Sequence, residues 1–188
     1  MIRGMSELIP QINISDDELV RRFGGQHLSQ TFAQIEQEFD CILPDRFEAT
    51  YRERVAELIK SELTAFDGVH DALAGLDVPF CLATNAPLQK VEQVLQTTKL
   101  GHFFDDRLFS AYQIGAWKPE PDLFLHAAKS LEFDPEQCLV VEDSIFGIQA
   151  GLSAGMQVLQ YCGGDTDPLH HRYFRHYSEF HSSINAGH

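Results

Sequence analysis

Cys138-Leu139-Val140-Val141-Glu142-Asp143-Ser144 is a short apolar run that ends abruptly on two adjacent carboxylates. A run of this length between turn signals reads as a strand buried on both faces. Asp134-Pro135 stands before it as a turn, and a glycine-containing helix is expected after it, from Ile145 to Ala154. Gln157 to Tyr161 then reads as a further strand. Upstream, Pro121 opens a helix carrying Phe124, Ala128 and Leu131, and Leu108-Phe109 reads as a short strand. Earlier still, Pro79-Phe80-Cys81-Leu82-Ala83 repeats the buried-strand signal between a helix bearing Val69, Leu73 and Leu76 and one bearing Val91, Val94 and Leu95. Strands and helices in alternation, with continuous apolar strands, predict an α/β fold built on a parallel sheet covered on both faces.

The alternation stops near Phe66, and everything before it reads as helix. Ser15-Asp16-Asp17-Glu18 has the form of a capping box before Leu19, Val20 and Phe23, and Gly24-Gly25 ends that helix. Phe32, Ile35 and Phe39 recur at helical spacing, as do Phe47, Tyr51, Val55 and Leu58 after Pro44. The expected division is therefore a small all-helical part over residues 1–66 and an α/β part over 67–188.

A chain of 188 residues with 44% hydrophobic content suits one domain, or a core domain with a smaller insert. The formal charge of -14 argues against nucleic acid, which demands clustered Lys and Arg. No apolar run approaches the roughly 20 residues that span a bilayer, so no membrane partner is expected. The four cysteines are scattered, with Cys81 and Cys138 read as small buried hydrophobes, and a cytoplasmic location is expected. His170, His171, His176, His181 and His188 are irregularly spaced without an adjoining acid or Cys, and read as a surface tail rather than a zinc site.

Ligands of open parallel sheets bind beyond the carboxyl ends of the strands. Thr84-Asn85 follows one apolar strand, Glu142-Asp143-Ser144 follows another, and Lys118 lies in a Trp-Lys-Pro-Glu-Pro loop between them. Thr-Asn or Glu-Asp after a strand also serves as a helix cap, and Lys-Pro as a solvated turn. Two adjacent carboxylates after a buried strand need a cation to offset their repulsion. A hydroxyl, an ammonium and a carboxylate pair at one sheet edge suit phosphoryl transfer, with Mg²⁺ held by the acids.

Those residues resemble three motifs of the haloacid dehalogenase-like (HAD) superfamily. Leu82-Ala83-Thr84-Asn85 is similar to its second motif, Lys118-Pro119 with Pro121 to its third, and Val140-Val141-Glu142-Asp143-Ser144 with Gly147-Ile148 and Ala150-Gly151 to its fourth. The stretch from Leu108 to Cys162 looks most like bacterial sugar-phosphate phosphatases, including the 6-phosphogluconate phosphatase type, with β-phosphoglucomutases as near relatives. The resemblance implies a Rossmann-like parallel core with a small all-α cap, Mg²⁺ as cofactor and a small phosphorylated metabolite as substrate. It implies Asp143 as direct metal ligand and Glu142 as a second carboxylate. Thr84 and Asn85 would bind the transferring phosphoryl, and Lys118 would balance its charge. In the loop Arg22-Phe23-Gly24-Gly25-Gln26-His27, Gly25, Gln26 and His27 hold the position that reads the leaving group in such proteins, with Arg21 as a contact to a carboxylate or second phosphate. A helix-ending turn and a solvated helix face are the competing readings of those residues.

The superfamily's first motif, Asp-x-Asp-Gly-Thr/Val, would carry the nucleophile and the acid/base at the end of a central first strand. It is absent; Asp16-Asp17 sits in a capping box, and Asp105-Asp106 lacks the spacing. Loss of an N-terminal segment of roughly 20–30 residues, comprising a strand, its loop and most of a helix, is one explanation; natural abandonment of the chemistry is the other. Either way the expectation is an unpaired gap between the strands ending at Ala83 and Val141, poor stability and negligible activity. A phosphosugar mutase and a noncatalytic protein on the same core are the alternative functions.

Overall fold

The computed structural model describes residues 2–10, 12–23, 27–164 and 167–186. Four helices come first: α1 (Ile2–Leu8), α2 (Asp16–Phe23), α3 (Leu28–Glu38) and α4 (Phe47–Glu62). Ser15 Oγ accepts the Glu18 N–H at 3.2 Å, satisfying one orphan donor at the start of α2. The apolar faces close on one another through Met5, Ile9, Leu19, Phe23, Ile35 and Tyr51. Phe32 meets Phe47 and Tyr51 edge-on, with ring centroids 5.2 and 5.4 Å away.

The rest alternates as the apolar runs predict: α5 (Val69–Ala74), β1 (Leu82–Thr84), α6 (Leu88–Thr98), β2 (Leu108–Ser110), α7 (Ala111–Ile114), α8 (Asp122–Ser130), β3 (Leu139–Glu142), α9 (Ile145–Ser153) and β4 (Gln157–Tyr161). The first of these strands starts later than the apolar run Pro79–Ala83, because a proline has no N–H to give a ladder. Cys81 and Cys138, expected to be buried, are half-buried at the entrances of β1 and β3, and Cys162 is the buried one. Val94 of α6 packs against the cluster of the four N-terminal helices, and Gln93 Nε2 donates to the Ala56 carbonyl of α4 at 2.8 Å.

The strands form two separate parallel sheets. β1 pairs with β2, in the register Thr84 to Ser110; β3 pairs with β4, in the register Glu142 to Gln160. The expected gap therefore falls between β1 and β3. Leu82 donates its N–H to Arg107 on the β2 side at 3.0 Å, so the peptide groups of Ala83, next along, face away from β2. Cys138 accepts from Gln157 on the β4 side at 3.1 Å, and three residues later Val141 likewise faces away from β4. Helix α8 packs on β1, β2 and α9, and its Phe124 and Ala128 share a buried cluster with Val140 of β3.

One expectation fails at the C-terminus, which is more than a surface tail. β5 (Tyr173–Phe174) pairs in parallel with β4, and α10 (Phe180–Asn185) folds back after it. Phe174, only 1% exposed, and Phe180 join Ala72 and Leu159 in a buried cluster. Buried Gln160 holds the connection by accepting the N–H groups of Leu169 and His170 at 2.7 and 2.9 Å. The histidines masked this, because their irregular spacing hides the aromatic residues between them.

Candidate active site

The polar residues singled out at the strand ends meet beyond the carboxyl edges of β1 and β3. Lys118 is the centre of the group. Its side chain is 9% exposed, and its Nζ donates to the Ala83 carbonyl at 2.9 Å and to the Glu142 carboxylate. The ammonium also lies 4.7 Å above the Phe124 ring of α8. Since the Ala83 carbonyl faces away from β2, this one side chain ties the open edge of the first sheet to the end of β3 in the second.

Asn85 sets the lysine in place. Its Oδ1 accepts the Lys118 N–H at 2.9 Å and its Nδ2 donates to the Lys118 carbonyl at 3.2 Å, so one amide grips the Lys118 backbone both ways. Thr84 ends β1 with its Oγ1 accepting the Ala86 N–H at 3.1 Å, an arrangement that leaves the hydroxyl hydrogen to be donated elsewhere. Ser110, fully buried at the end of β2, donates to the Ala86 carbonyl at 2.7 Å and accepts the Tyr112 N–H at 3.2 Å. It thereby fixes the loop after Thr84. The sequence reading missed Ser110; a serine between a strand and a helix was its one signal.

The carboxylates occupy different environments. Glu142 is 10% exposed, paired with Lys118 through Oε1 and accepting the Ser144 hydroxyl at 3.1 Å through Oε2. Ser144 Oγ in turn accepts the Gly147 N–H at 3.1 Å and caps α9. A Cβ at Gly147 would lie 2.0 Å from Glu142 Cδ, so only glycine lets the first turn of α9 rest on that carboxylate. Asp143 keeps an exposed face, yet most of its surroundings are protein. Burial, and then the charge of Glu142, push its carboxyl above the usual aspartate value, against backbone N–H groups and Lys118 that pull it down. Among the described residues no three His, Cys, Asp or Glu side chains gather as a metal cage. Two carboxylates of this kind suit a hard cation that keeps several of its waters.

Of the residues read as contacts to a leaving group, His27 is the one whose side chain is described. Gly25 and Gln26 lie outside the described residues, and Arg21 is placed on α2 by its backbone alone. His27 reaches the α/β part: its ring stacks on Tyr112 at 5.8 Å and meets Trp117 edge-on at 4.9 Å. Tyr112 and Trp117 themselves lie 5.6 Å apart. From α4, Arg52 Nη2 donates to the Tyr112 hydroxyl at 3.4 Å. Arg52 and Tyr112 were not foreseen, since a cation on a helix face and an aromatic after a strand carry no motif. The Asp-x-Asp spacing itself occurs once, in Asp165-Thr166-Asp167. Pro168 follows it instead of Gly, it lies in the connection after β4, and Asp165 and Thr166 are outside the described residues.

Residues 6–155 match the family model of haloacid dehalogenase-like hydrolases. Over 152 residues the chain is 36% identical to 6-phosphogluconate phosphatase of Escherichia coli, covering 80% of this chain and 69% of that protein. It is 37% identical over 81 residues to fructose-1-phosphate phosphatase of the same species, covering 43% of each protein. Among solved structures, a conserved haloacid dehalogenase-like protein from Agrobacterium tumefaciens superposes with a TM-score of 0.83 at 27% identity, covering 98% of this chain and 87% of that one.

Proposed function

The chain belongs to the haloacid dehalogenase-like hydrolase family, and from that premise we propose that it is a Mg²⁺-dependent phosphatase of small phosphate monoesters, sugar phosphates above all. The observation that carries this reading is the convergence of Thr84, Lys118, Glu142 and Asp143 on one sheet edge, with Lys118 strung between the two sheets. Relatives named for phosphorylated sugars and sugar acids support the substrate class. The four N-terminal helices serve as a cap over residues 1–66, and residues 67–188 form the core.

In this reading the substrate's phosphoryl group lies beyond the ends of β1 and β3. Thr84 donates its hydroxyl hydrogen to one phosphoryl oxygen. The Lys118 ammonium, held by Asn85 through its backbone, offsets negative charge between the phosphoryl group and the attacking carboxylate. Glu142 keeps Lys118 aimed, and Asp143 with Glu142 would hold the cation. Mg²⁺ bound there would supply further positive charge to the phosphoryl oxygens. The nucleophile is an aspartate on a strand seated between β1 and β3, carrying Asp-x-Asp at its end. Its carboxylate attacks phosphorus, the ester oxygen leaves with a proton from the second aspartate, and water hydrolyses the aspartyl phosphate.

Phosphate release from a panel of sugar phosphates tests the proposal. The 188-residue chain releases no more than background, whereas a chain extended upstream by a strand with Asp-x-Asp-Gly releases phosphate with Mg²⁺ and stops in EDTA. Magnesium-dependent release by the 188 residues alone would refute the placing of the nucleophile. Inactivity of the extended chain on every ester would refute the phosphatase reading, and accumulation of an isomer in place of phosphate would identify a mutase.

A further inference from the structure

Ser110 ends β2, paired in register with Thr84 at the end of β1. It is 0% exposed, so its hydroxyl meets neither solvent nor a ligand. Its Oγ accepts the Tyr112 N–H at 3.2 Å, capping α7, and donates to the Ala86 carbonyl at 2.7 Å. Ala86 is held at its other end by Thr84, whose Oγ1 accepts the Ala86 N–H at 3.1 Å. One residue of backbone thus connects the buried serine to the threonine read as a phosphoryl ligand. Pro87 follows directly and disfavours helical backbone at Ala86, which narrows the turns open to that connection.

A helix cap needs only an acceptor, and Asp or Asn serves there as well as Ser. Position 110 needs a donor too. A carboxylate would set its charge against the Ala86 carbonyl, whereas a hydroxyl that accepts from Tyr112 can turn its hydrogen to Ala86. The effect passes on to Thr84. With one lone pair of Oγ1 taken by an N–H that is itself held, the Thr84 hydroxyl keeps one rotamer and its hydrogen is left for a ligand oxygen. Without the Ser110 bond the Ala86 backbone is free to turn, and Thr84 loses the N–H that fixes it. Asn85, between the two, is anchored separately by its two bonds to the Lys118 backbone. Glu142 and Asp143 stand at the end of β3, in the other sheet.

We propose that Ser110 is a positioning residue of the phosphoryl site: acting through Ala86, it fixes the Thr84 hydroxyl and so sets the affinity for a phosphoryl group that it does not touch. The cation site is outside its reach. The inference rests on the phosphatase reading and adds to its site a residue that carries no motif. A donor already held in its bound orientation loses less freedom when the ligand arrives, and that difference is what Ser110 supplies.

Calorimetric titration of inorganic phosphate into the 188-residue chain with Mg²⁺ tests it, beside a titration of Mg²⁺ alone. Ser110→Ala is expected to weaken phosphate by about fivefold or more, the worth of a single hydrogen bond, and to leave the Mg²⁺ affinity unchanged. Thr84→Val removes the hydroxyl on which Ser110 acts, so in that background Ser110→Ala costs less than about twofold. Phe180→Leu, in the buried cluster with Leu159 and Phe174, is the control for lost stability: it lowers the melting temperature and leaves phosphate affinity as it was. Unchanged phosphate affinity in Ser110→Ala, an equal loss in the Thr84→Val background, a matching fall in Mg²⁺ affinity, or an equal loss in Phe180→Leu each overturns the positioning role and leaves the phosphatase reading intact. If Ser110→Ala does not fold, Ser110→Cys, with a weak thiol donor in the same place, is titrated in its stead. Failure of both to fold makes Ser110 a structural residue and overturns the role. A parent chain that binds no phosphate overturns the phosphatase reading and the positioning role with it.

Discussion

Asp143 shows how burial and a neighbouring like charge act on a single ionisable group. Its folded carboxyl holds a proton more tightly than an unfolded one, through burial first and Glu142 second. The folded state therefore binds more protons than the unfolded state above the ordinary aspartate range, and stability falls as pH rises from there through the raised value. Asp143→Asn removes that loss, so at neutral pH without Mg²⁺ the variant melts no lower than the parent. With Mg²⁺ at about a hundredfold excess over its Kd the parent gains roughly 5 °C or more, and the variant gains none. Differential scanning calorimetry with and without Mg²⁺ checks both halves; a Mg²⁺ shift of equal size in the variant would remove Asp143 from the metal site. That Thr84, Lys118, Glu142 and Asp143 would stand together was legible in the sequence, because polar residues directly after buried apolar strands stand at the carboxyl ends of those strands. The contact of Arg52 with Tyr112 was not, since a long cationic side chain on a helix is ordinary there, and only packing shows what it meets.

At the scale of elements, the boundaries of β3, α9 and β4 follow the apolar runs closely, because a buried strand and its helix leave little choice of register. β5 escaped notice for the opposite reason. Two residues cannot show a period, and Tyr173-Phe174 gain strand geometry only from the Gln160 amide and the edge of β4. The division of the sheet was foreseen from the missing motif, and it has a measurable signature. The Ala83 and Val141 peptide groups face away from their paired strands, and Val141 is 40% exposed. Their amides are expected to exchange with solvent at least a hundredfold faster than that of Val158, in the middle strand of its sheet. Amide exchange followed by NMR provides the comparison, and equal protection would show that some other group covers the slot.

For the molecule as a whole, the charge of -14 opposes the approach of any phosphate ester, while a buried cation such as Lys118 acts only at short range. Salt screens the distant charges first, since the Debye length is about 10 Å at 0.1 M. In the proposed reading the association rate for a sugar phosphate is therefore expected to rise several-fold as salt is raised from about 10 mM to about 150 mM, in stopped-flow measurements. A rate that falls over this range would mean that local cations dominate from a distance. The slot between β1 and β3 has a consequence of another kind. β1 and β3 each leave one edge without a partner strand among the described residues, so one extended peptide lying parallel to both could complete two ladders in a single docking event. Its first ladder would bear the whole loss of translational freedom, and the second would close almost without further cost. In the proposed reading, a peptide of that kind ending in Asp-x-Asp would restore sheet continuity and supply the nucleophile together.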